Sequence, residues 1–217
     1  MFSIVHPSFQ RPHQAYDVYK HYIDNMVSDN DIEWIISLND NELFLDDYKR
    51  LFKNEDSVSI ITSNVNSMVA ATNVAAMHTK HNIILLVSDD TYCANNWDRD
   101  LIKVFDQYKD QPAVIQVHDS IRCDILTIPI MNRLAYEKLG YIYNPKYISM
   151  YADNDLMMVA KKNDMYFIHT DIVFDHRHYS VGKSKLDYTY KRENSKTAYD
   201  HGKRMFHYRM QQSFSEN

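Results

Sequence analysis

Apolar residues along this chain fall into short unbroken runs, and the stretches between them carry apolar positions at helical spacing. Residues 2–5 form the first run, ended by His6-Pro7-Ser8, and predict a buried strand entering a loop. Beyond Arg11-Pro12, the positions of Ala15, Val18, Tyr19, Tyr22, Ile23 and Met26 predict an amphipathic helix. Residues 32–38 predict a second strand, ended by Asn39-Asp40-Asn41, and 43–52 a short helix. A third strand is predicted at 58–62, an Ala-rich helix at 68–79, and a fourth strand at 83–87 that runs directly into Ser88-Asp89-Asp90. A helix is predicted at 97–108 and a strand at 114–117. Strands alternating with helices argue for an α/β layout around a largely parallel sheet. Such sheets bind ligands beyond the carboxyl ends of their strands. Those ends here carry His6-Pro7-Ser8, Asn39-Asp40, Ser63-Asn64 and Ser88-Asp89-Asp90, all small, polar or acidic.

The second half is patterned less regularly. The apolar run 125–130 is interrupted by Thr127 and Pro129, and 131–139 predicts a helix stopped by Gly140. Tyr151-Ala152-Asp153-Asn154-Asp155 precedes a helical stretch at 156–162, where Asp or Asn would serve as the cap. Residues 166–174 predict a strand ending at Asp175-His176-Arg177-His178. The chain beyond that strand is polar and basic and shows no strong period. No internal repeat or low-complexity tract is visible.

Composition narrows the chemistry. The 217 residues suffice for one sizeable core and are taken as a single domain. With 3 Gly and neither G-x-G-x-x-G nor a Walker A sequence, a glycine-rich phosphate loop is excluded, so a nucleotide must be held another way. Two cysteines, Cys93 and Cys123, without CxxC spacing argue against a disulfide framework or a zinc-thiolate site. No apolar run is long enough to span a membrane and no signal layout opens the chain, so a cytoplasmic location is expected. The net charge of −5 is uneven: between positions 177 and 209 nine Lys and Arg face three acids, a local +6 that leaves −11 elsewhere. That segment is either a contact for an anionic ligand or a solvated surface.

Three constellations carry candidate chemistry. Asp89 and Asp90 at a strand end repel each other unless a cation or hydrogen bonds compensate. A divalent ion with oxygen ligands would do so and would also bind a diphosphate, whereas a solvent-facing turn would need neither. In an extended chain His176 and His178 face the same side, so one or both could complete a metal site with Asp90, or form a titrating surface pair. Asp153 and Asp155 at a predicted helix start suit a general base for an acceptor hydroxyl, or plain capping.

Taken in order, these segments resemble the family 2 inverting glycosyltransferases of GT-A fold, over about residues 2–179. The opening strand ending in Pro7-Ser8, and Arg11-Pro12 after it, are similar to the family's start. Asp40 lies where members place an acid on the nucleotide base, and Asn66 and Asn73 resemble asparagines of the helix before the central strand. Leu85 to Asp90 looks like the DxD-type motif for metal and diphosphate, with Thr91 to Asp98 as its usual continuation. Tyr151 to Leu156 is similar to the acceptor-side Glu-Asp-x-Asp-Leu motif, which implies Asp153 as base, and His176 resembles the late metal-ligating histidine. Three positions depart from the pattern: Ser88 replaces the first acid, Ala152 the Glu, and Thr72 an Arg.

The resemblance implies a GT-A (Rossmann-like) fold, a mostly parallel sheet flanked by helices. Residues 1–120 would form the donor half and 121–179 the acceptor half, with a basic segment over 180–217. It implies a nucleotide-sugar donor, a UDP-sugar first, and Mn²⁺ or Mg²⁺ held by Asp90 with His176 or His178. Ser88 and Asp89 would sit on the diphosphate, and Arg177, Lys183 or Lys185 would close over it. Scarce Gly with abundant Asn, Asp, Lys and Tyr suggests an AT-rich genome such as a phage's, so the acceptor is either a hydroxymethylated DNA base or a glycan. The rival classes are a non-catalytic binding module and a nucleotidyltransferase.

Overall fold

The computed structural model describes residues 1–27 and 31–215. Its first half alternates strictly: β1 (Phe2–Pro7), α1 (Pro12–Asp24), β2 (Ile32–Asn39), α2 (Leu45–Leu51), β3 (Val58–Ser63), α3 (Met68–Ala76) and β4 (Ile83–Leu86). Next come a two-residue β5 (Thr91–Tyr92), α4 (Trp97–Phe105), β6 (Val114–His118), β7 (Ile130–Asn132) and α5 (Arg133–Leu139). The chain then forms α6 (Ala152–Lys162), β8 (Tyr166–Val173), a two-residue β9 (Asp175–His176), α7 (Tyr188–Glu193) and α8 (Lys196–Gln211). Seven strands make one sheet in the order β3-β2-β1-β4-β7-β6-β8. Only β7 runs antiparallel to its neighbours. The fold is therefore the α/β arrangement that the alternation predicts. No helix among the described residues is long and apolar enough to cross a membrane.

Strand alternation distributes the core over both faces. Phe2, Ile4, Trp34, Ile36 and Leu85 join one buried cluster with α1 and α4, through Tyr22 and Trp97. Val5, Ile35, Ile84 and Leu86 join a second cluster with α3 and α6. Successive side chains of a strand point to opposite faces, so a strand covered on both sides reads as an unbroken apolar run. Local chemistry sets the helix starts: Pro12 opens α1, and the Ser67 side chain accepts from the Ala70 N–H at the start of α3.

The second half differs from expectation in three places. The run 125–130 is mostly irregular, and β7 begins only at Ile130, after Pro129, which has no N–H for a ladder. The helix expected from 131 starts at Arg133, because Asn132 caps it by accepting from Ala135 N–H at 3.0 Å. Gly140 ends it at φ 76°, as the pattern predicts. Helix α6 starts earlier than expected, behind Tyr151 at φ 70°, which places Asp153 and Asp155 in its first turn rather than at its cap.

In addition to these three, the C-terminal segment, which shows no strong period in the sequence, forms two helices. Helix α8 buries Ala198, Gly202 and Arg209, and Met205 and Phe206 on the same face pack against the second core cluster. Arg209 donates from Nε to Asp155 Oδ1 at 2.9 Å and from a terminal nitrogen to Oδ2 at 3.2 Å. Tyr147 donates to the same carboxylate at 3.0 Å. Gly202 lets α8 approach the chain before α6, since a Cβ there would stand 2.1 Å from the Met150 carbonyl oxygen.

Removing one partner of a buried ion pair strands the other. Arg209→Leu is therefore expected to cost about 3–5 kcal/mol in urea unfolding. Gly202→Ala should lower the thermal midpoint as well, by forcing α8 away from Met150; a midpoint equal to wild type would contradict the close approach.

Candidate functional site

A cleft of about 270 Å³ opens beyond the carboxyl ends of the parallel strands. It draws Pro7 and Ser8 from the end of β1, Asn39 from β2, and Ser88, Asp89 and Asp90 from the end of β4. Neighbouring parallel strands end together, with Val5 level with Leu86, so the loops after β1 and β4 meet.

The two adjacent acids there face different partners. Asp89 Oδ1 accepts from His6 Nε2 at 2.9 Å and from Ser8 Oγ at 2.7 Å. The Trp34 indole donates to His6 Nδ1 at 3.1 Å. An indole only donates, so His6 must carry its proton on Nε2 and give it to Asp89. A directed chain feeds Ser8: the Arg11 N–H donates to the Tyr48 hydroxyl at 3.0 Å, and that hydroxyl to Ser8 Oγ at 2.6 Å. Burial and the charge of Asp89 push the Tyr48 phenol well up, so it stays a donor.

Asp90 is turned to the cleft side. Ser88 Oγ donates to its Oδ1 at 2.5 Å and the Tyr190 hydroxyl to its Oδ2 at 2.6 Å. His176 Nε2 lies 3.4 Å from the same Oδ2. The short antiparallel ribbon of β5 and β9 sets this pairing, with Thr91 opposite His176 and the Arg177 N–H on the Asp90 carbonyl at 2.7 Å. Burial by itself would raise the Asp90 pKa. His176, Ser88 and Tyr190 outweigh it and hold the carboxyl well below the usual range.

Asp90 Oδ2 and His176 Nε2 are spaced to take two adjacent positions around Mn²⁺ or Mg²⁺, leaving the others to phosphate oxygens and water. The donor set fits a cation delivered with a diphosphate. Among the described residues no group of three or more His, Cys, Asp or Glu is gathered for a closed protein cage. His178 also lines the cleft, but its Nδ1 lies 2.7 Å from Ser180 Oγ and its ring packs on Tyr179 and Tyr190.

The remaining sequence-predicted residues divide. Arg11 lines the cleft, yet its Nε and a terminal nitrogen each donate to Asp187 at 2.7 Å. Asp40 and Asn66 are exposed and stand outside the cleft lining, where Asn39 and Val65 are found instead. Asn73 is committed to the fold: its Oδ1 accepts from the Ile142 and Tyr143 N–H groups at 3.1 Å, and its Nδ2 donates to the Tyr143 carbonyl at 2.6 Å. Arg177 stacks on Tyr92 at 3.7 Å and pairs with Asp175, as does Lys183, while Lys185 is exposed. Asp153 is half-buried and is not among the residues that line the cleft, and desolvation raises its pKa.

Sequence reasoning missed His6, Tyr48, Asp187 and Tyr190. The Asp187 side chain accepting from the Tyr190 N–H is a helix-start signal that was present but short. Nothing near Tyr48 marks it.

No protein-family model matches the chain, and no curated protein is detectably similar to it in sequence. Solved structures do share the fold. TarS of S. aureus superposes with a TM-score of 0.65 at 12% identity, covering 80% of this chain and 36% of its own. TarS 1–349 in complex with UDP-GlcNAc gives 0.63 at 14% identity, covering 80% and 57%. The mannosyltransferase PcManGT from Pyrobaculum calidifontis, in complex with GDP-Man and Mn²⁺, gives 0.62 at 10% identity, covering 82% and 57%. The class that these likenesses define is the α/β fold of GT-A glycosyltransferases. This chain spans 36% to 57% of the length of the three chains.

Asp89→Ala should cost about 1–3 kcal/mol in denaturant unfolding, because it leaves the buried His6 N–H and Ser8 O–H without their acceptor. An unchanged midpoint would mean that Asp89 is free for ligand instead.

Proposed function

We propose that this chain is a glycosyltransferase, moving a sugar from a nucleoside-diphosphate sugar to an acceptor hydroxyl with inversion. The observation that carries the proposal is the ionised Asp90 facing His176 in a cleft at the carboxyl ends of parallel strands. The fold is that of proteins crystallised with UDP-GlcNAc and with GDP-Man and Mn²⁺, which supports a donor of that kind here.

Asp90 and His176 would hold Mn²⁺ or Mg²⁺, which when bound supplies positive charge for the leaving diphosphate. Ser88, beside Asp90, contributes a hydroxyl at the same edge. The acceptor oxygen attacks the anomeric carbon in line, the bond to the diphosphate breaks, and the acceptor proton passes to a carboxylate. The family resemblance gives that last role to Asp153, and its raised pKa suits a base. The absence of Asp153 from the cleft lining favours a second reading, a binding module on the same scaffold.

Of the two candidate acceptors, a glycan is favoured over a hydroxymethylated DNA base. Arg177 and Lys183 pair with Asp175, and Arg209 with Asp155, acids that lie outside the basic segment, which leaves less charge for a phosphate backbone.

Donor turnover across a panel of nucleotide-sugars, with Mn²⁺ or Mg²⁺ and then with a chelator, tests the class. A metal-dependent release of nucleoside diphosphate supports transfer. Release of pyrophosphate would point to nucleotidyl transfer, and no response to any donor would favour the binding module. Asp153→Asn should abolish transfer while sparing donor affinity. With Asp153 as base, the acid limb of the kcat profile should fall at a pH above the ordinary aspartate range, since activity needs the ionised form and burial raises the pKa at which it appears.

A further inference from the structure

Both oxygens of the Asp90 carboxylate already accept hydrogen bonds. Ser88 holds Oδ1, and the Tyr190 hydroxyl sits on Oδ2 at 2.6 Å, the oxygen that also faces His176. Tyr190 is brought there by a segment fastened at several points. Asp187 accepts from the Tyr190 N–H at 2.9 Å and takes both donors of Arg11. The Arg11 guanidinium lies 4.0 Å from the centre of the Tyr190 ring. Thr189 donates to the Phe9 carbonyl at 2.8 Å and Arg192 to the Asn66 carbonyl at 3.0 Å. Helix α7 is thus held across the mouth of the cleft by the loops after β1 and β3.

A phenol directs its positive end at Oδ2, and a cation needs the electron density of that same oxygen. The phenol proton and a cation repel each other at that oxygen, so a cation held by Asp90 and His176 weakens the hydroxyl's hold there. A hydroxyl that leaves Oδ2 needs another acceptor, and Ser184 is the side chain beside it that could serve in the unfilled cleft. In a filled cleft the acceptors nearest the cation are the oxygens of the diphosphate that arrives with it.

We propose that Tyr190 is a positioning residue that exchanges partners. Its hydroxyl caps Asp90 Oδ2 in the free protein, and it donates to the donor's diphosphate once a divalent cation takes that oxygen. The inference rests on the cation role proposed for Asp90 and His176.

The two halves have opposite signs in one variant, a signature that general loosening of the fold does not produce. Tyr190→Phe keeps the ring under Arg11 and removes only the hydroxyl. Titration calorimetry on the full chain should show Mn²⁺ alone binding about three- to tenfold more tightly than to wild type, the range left when a hydrogen bond to a charged group is lost and water partly replaces it. With Mn²⁺ saturating, UDP or GDP should bind more weakly by a similar factor. Asp187→Asn, which loosens α7 but keeps the hydroxyl, should also tighten Mn²⁺, and thermal unfolding of both variants verifies that they are folded. Unchanged Mn²⁺ affinity, unchanged nucleoside diphosphate affinity, or both moving the same way would overturn the exchange alone. No Mn²⁺ binding by wild type or variants, or binding that survives Asp90→Asn, would overturn the cation role and the exchange with it.

Discussion

Two carboxylates in sequence at the end of a buried strand are the constraint around which this molecule is arranged. Asp89 and Asp90 are each about 6% exposed, and neither can stay ionised there without partners. Their side chains leave the backbone on different sides, so each needs its own set. Asp89 draws on β1, through His6 and Ser8, with Trp34 and Tyr48 fixing which atoms donate. Asp90 draws on the far end of the chain, through His176 and Tyr190. The first set joins the strands of the sheet at their carboxyl ends. The second makes the site.

The C-terminal segment is part of both the site and the frame. Helix α7 ties the loop after β1 to Asp90, and α8 is locked to α6 through Arg209 and Asp155. The segment keeps most of its basic side chains at the surface, and Arg209 is the one it buries as internal wiring. The same pairing separates the two acids of the acceptor-side motif. Asp155, fully buried between Arg209 and Tyr147, holds the fold, and Asp153 alone is left for chemistry at that helix start.

The resemblance and the geometry agree for some of the predicted residues and part company for others. Pro7, Ser8, Arg11, Ser88, Asp89, Asp90, His176 and His178 all reach one cleft. Asn73 resembles a ligand-binding asparagine in the sequence, yet both ends of its amide are taken by the backbone at 142–143. An asparagine's type and position say nothing about whether its amide is already satisfied.

The alternation of strands and helices, the largely parallel sheet and the polar strand ends were legible in the residues alone. Each arises from a local pattern, an unbroken apolar run for a strand covered on both faces or a period of 3.6 for a helix, that burial imposes on neighbouring positions. Helix α8 escaped because its inward face mixes Ala198, Met205 and Phe206 with Gly202 and an ion-paired Arg209, which interrupt the apolar period. The roles of the acids escaped for a different reason. Asp90 meets Tyr190 across 100 positions and Arg11 meets Asp187 across 176. No local pattern records such meetings, because hydrogen-bond partners are chosen by where the packed elements bring side chains together, after the periods have done their part.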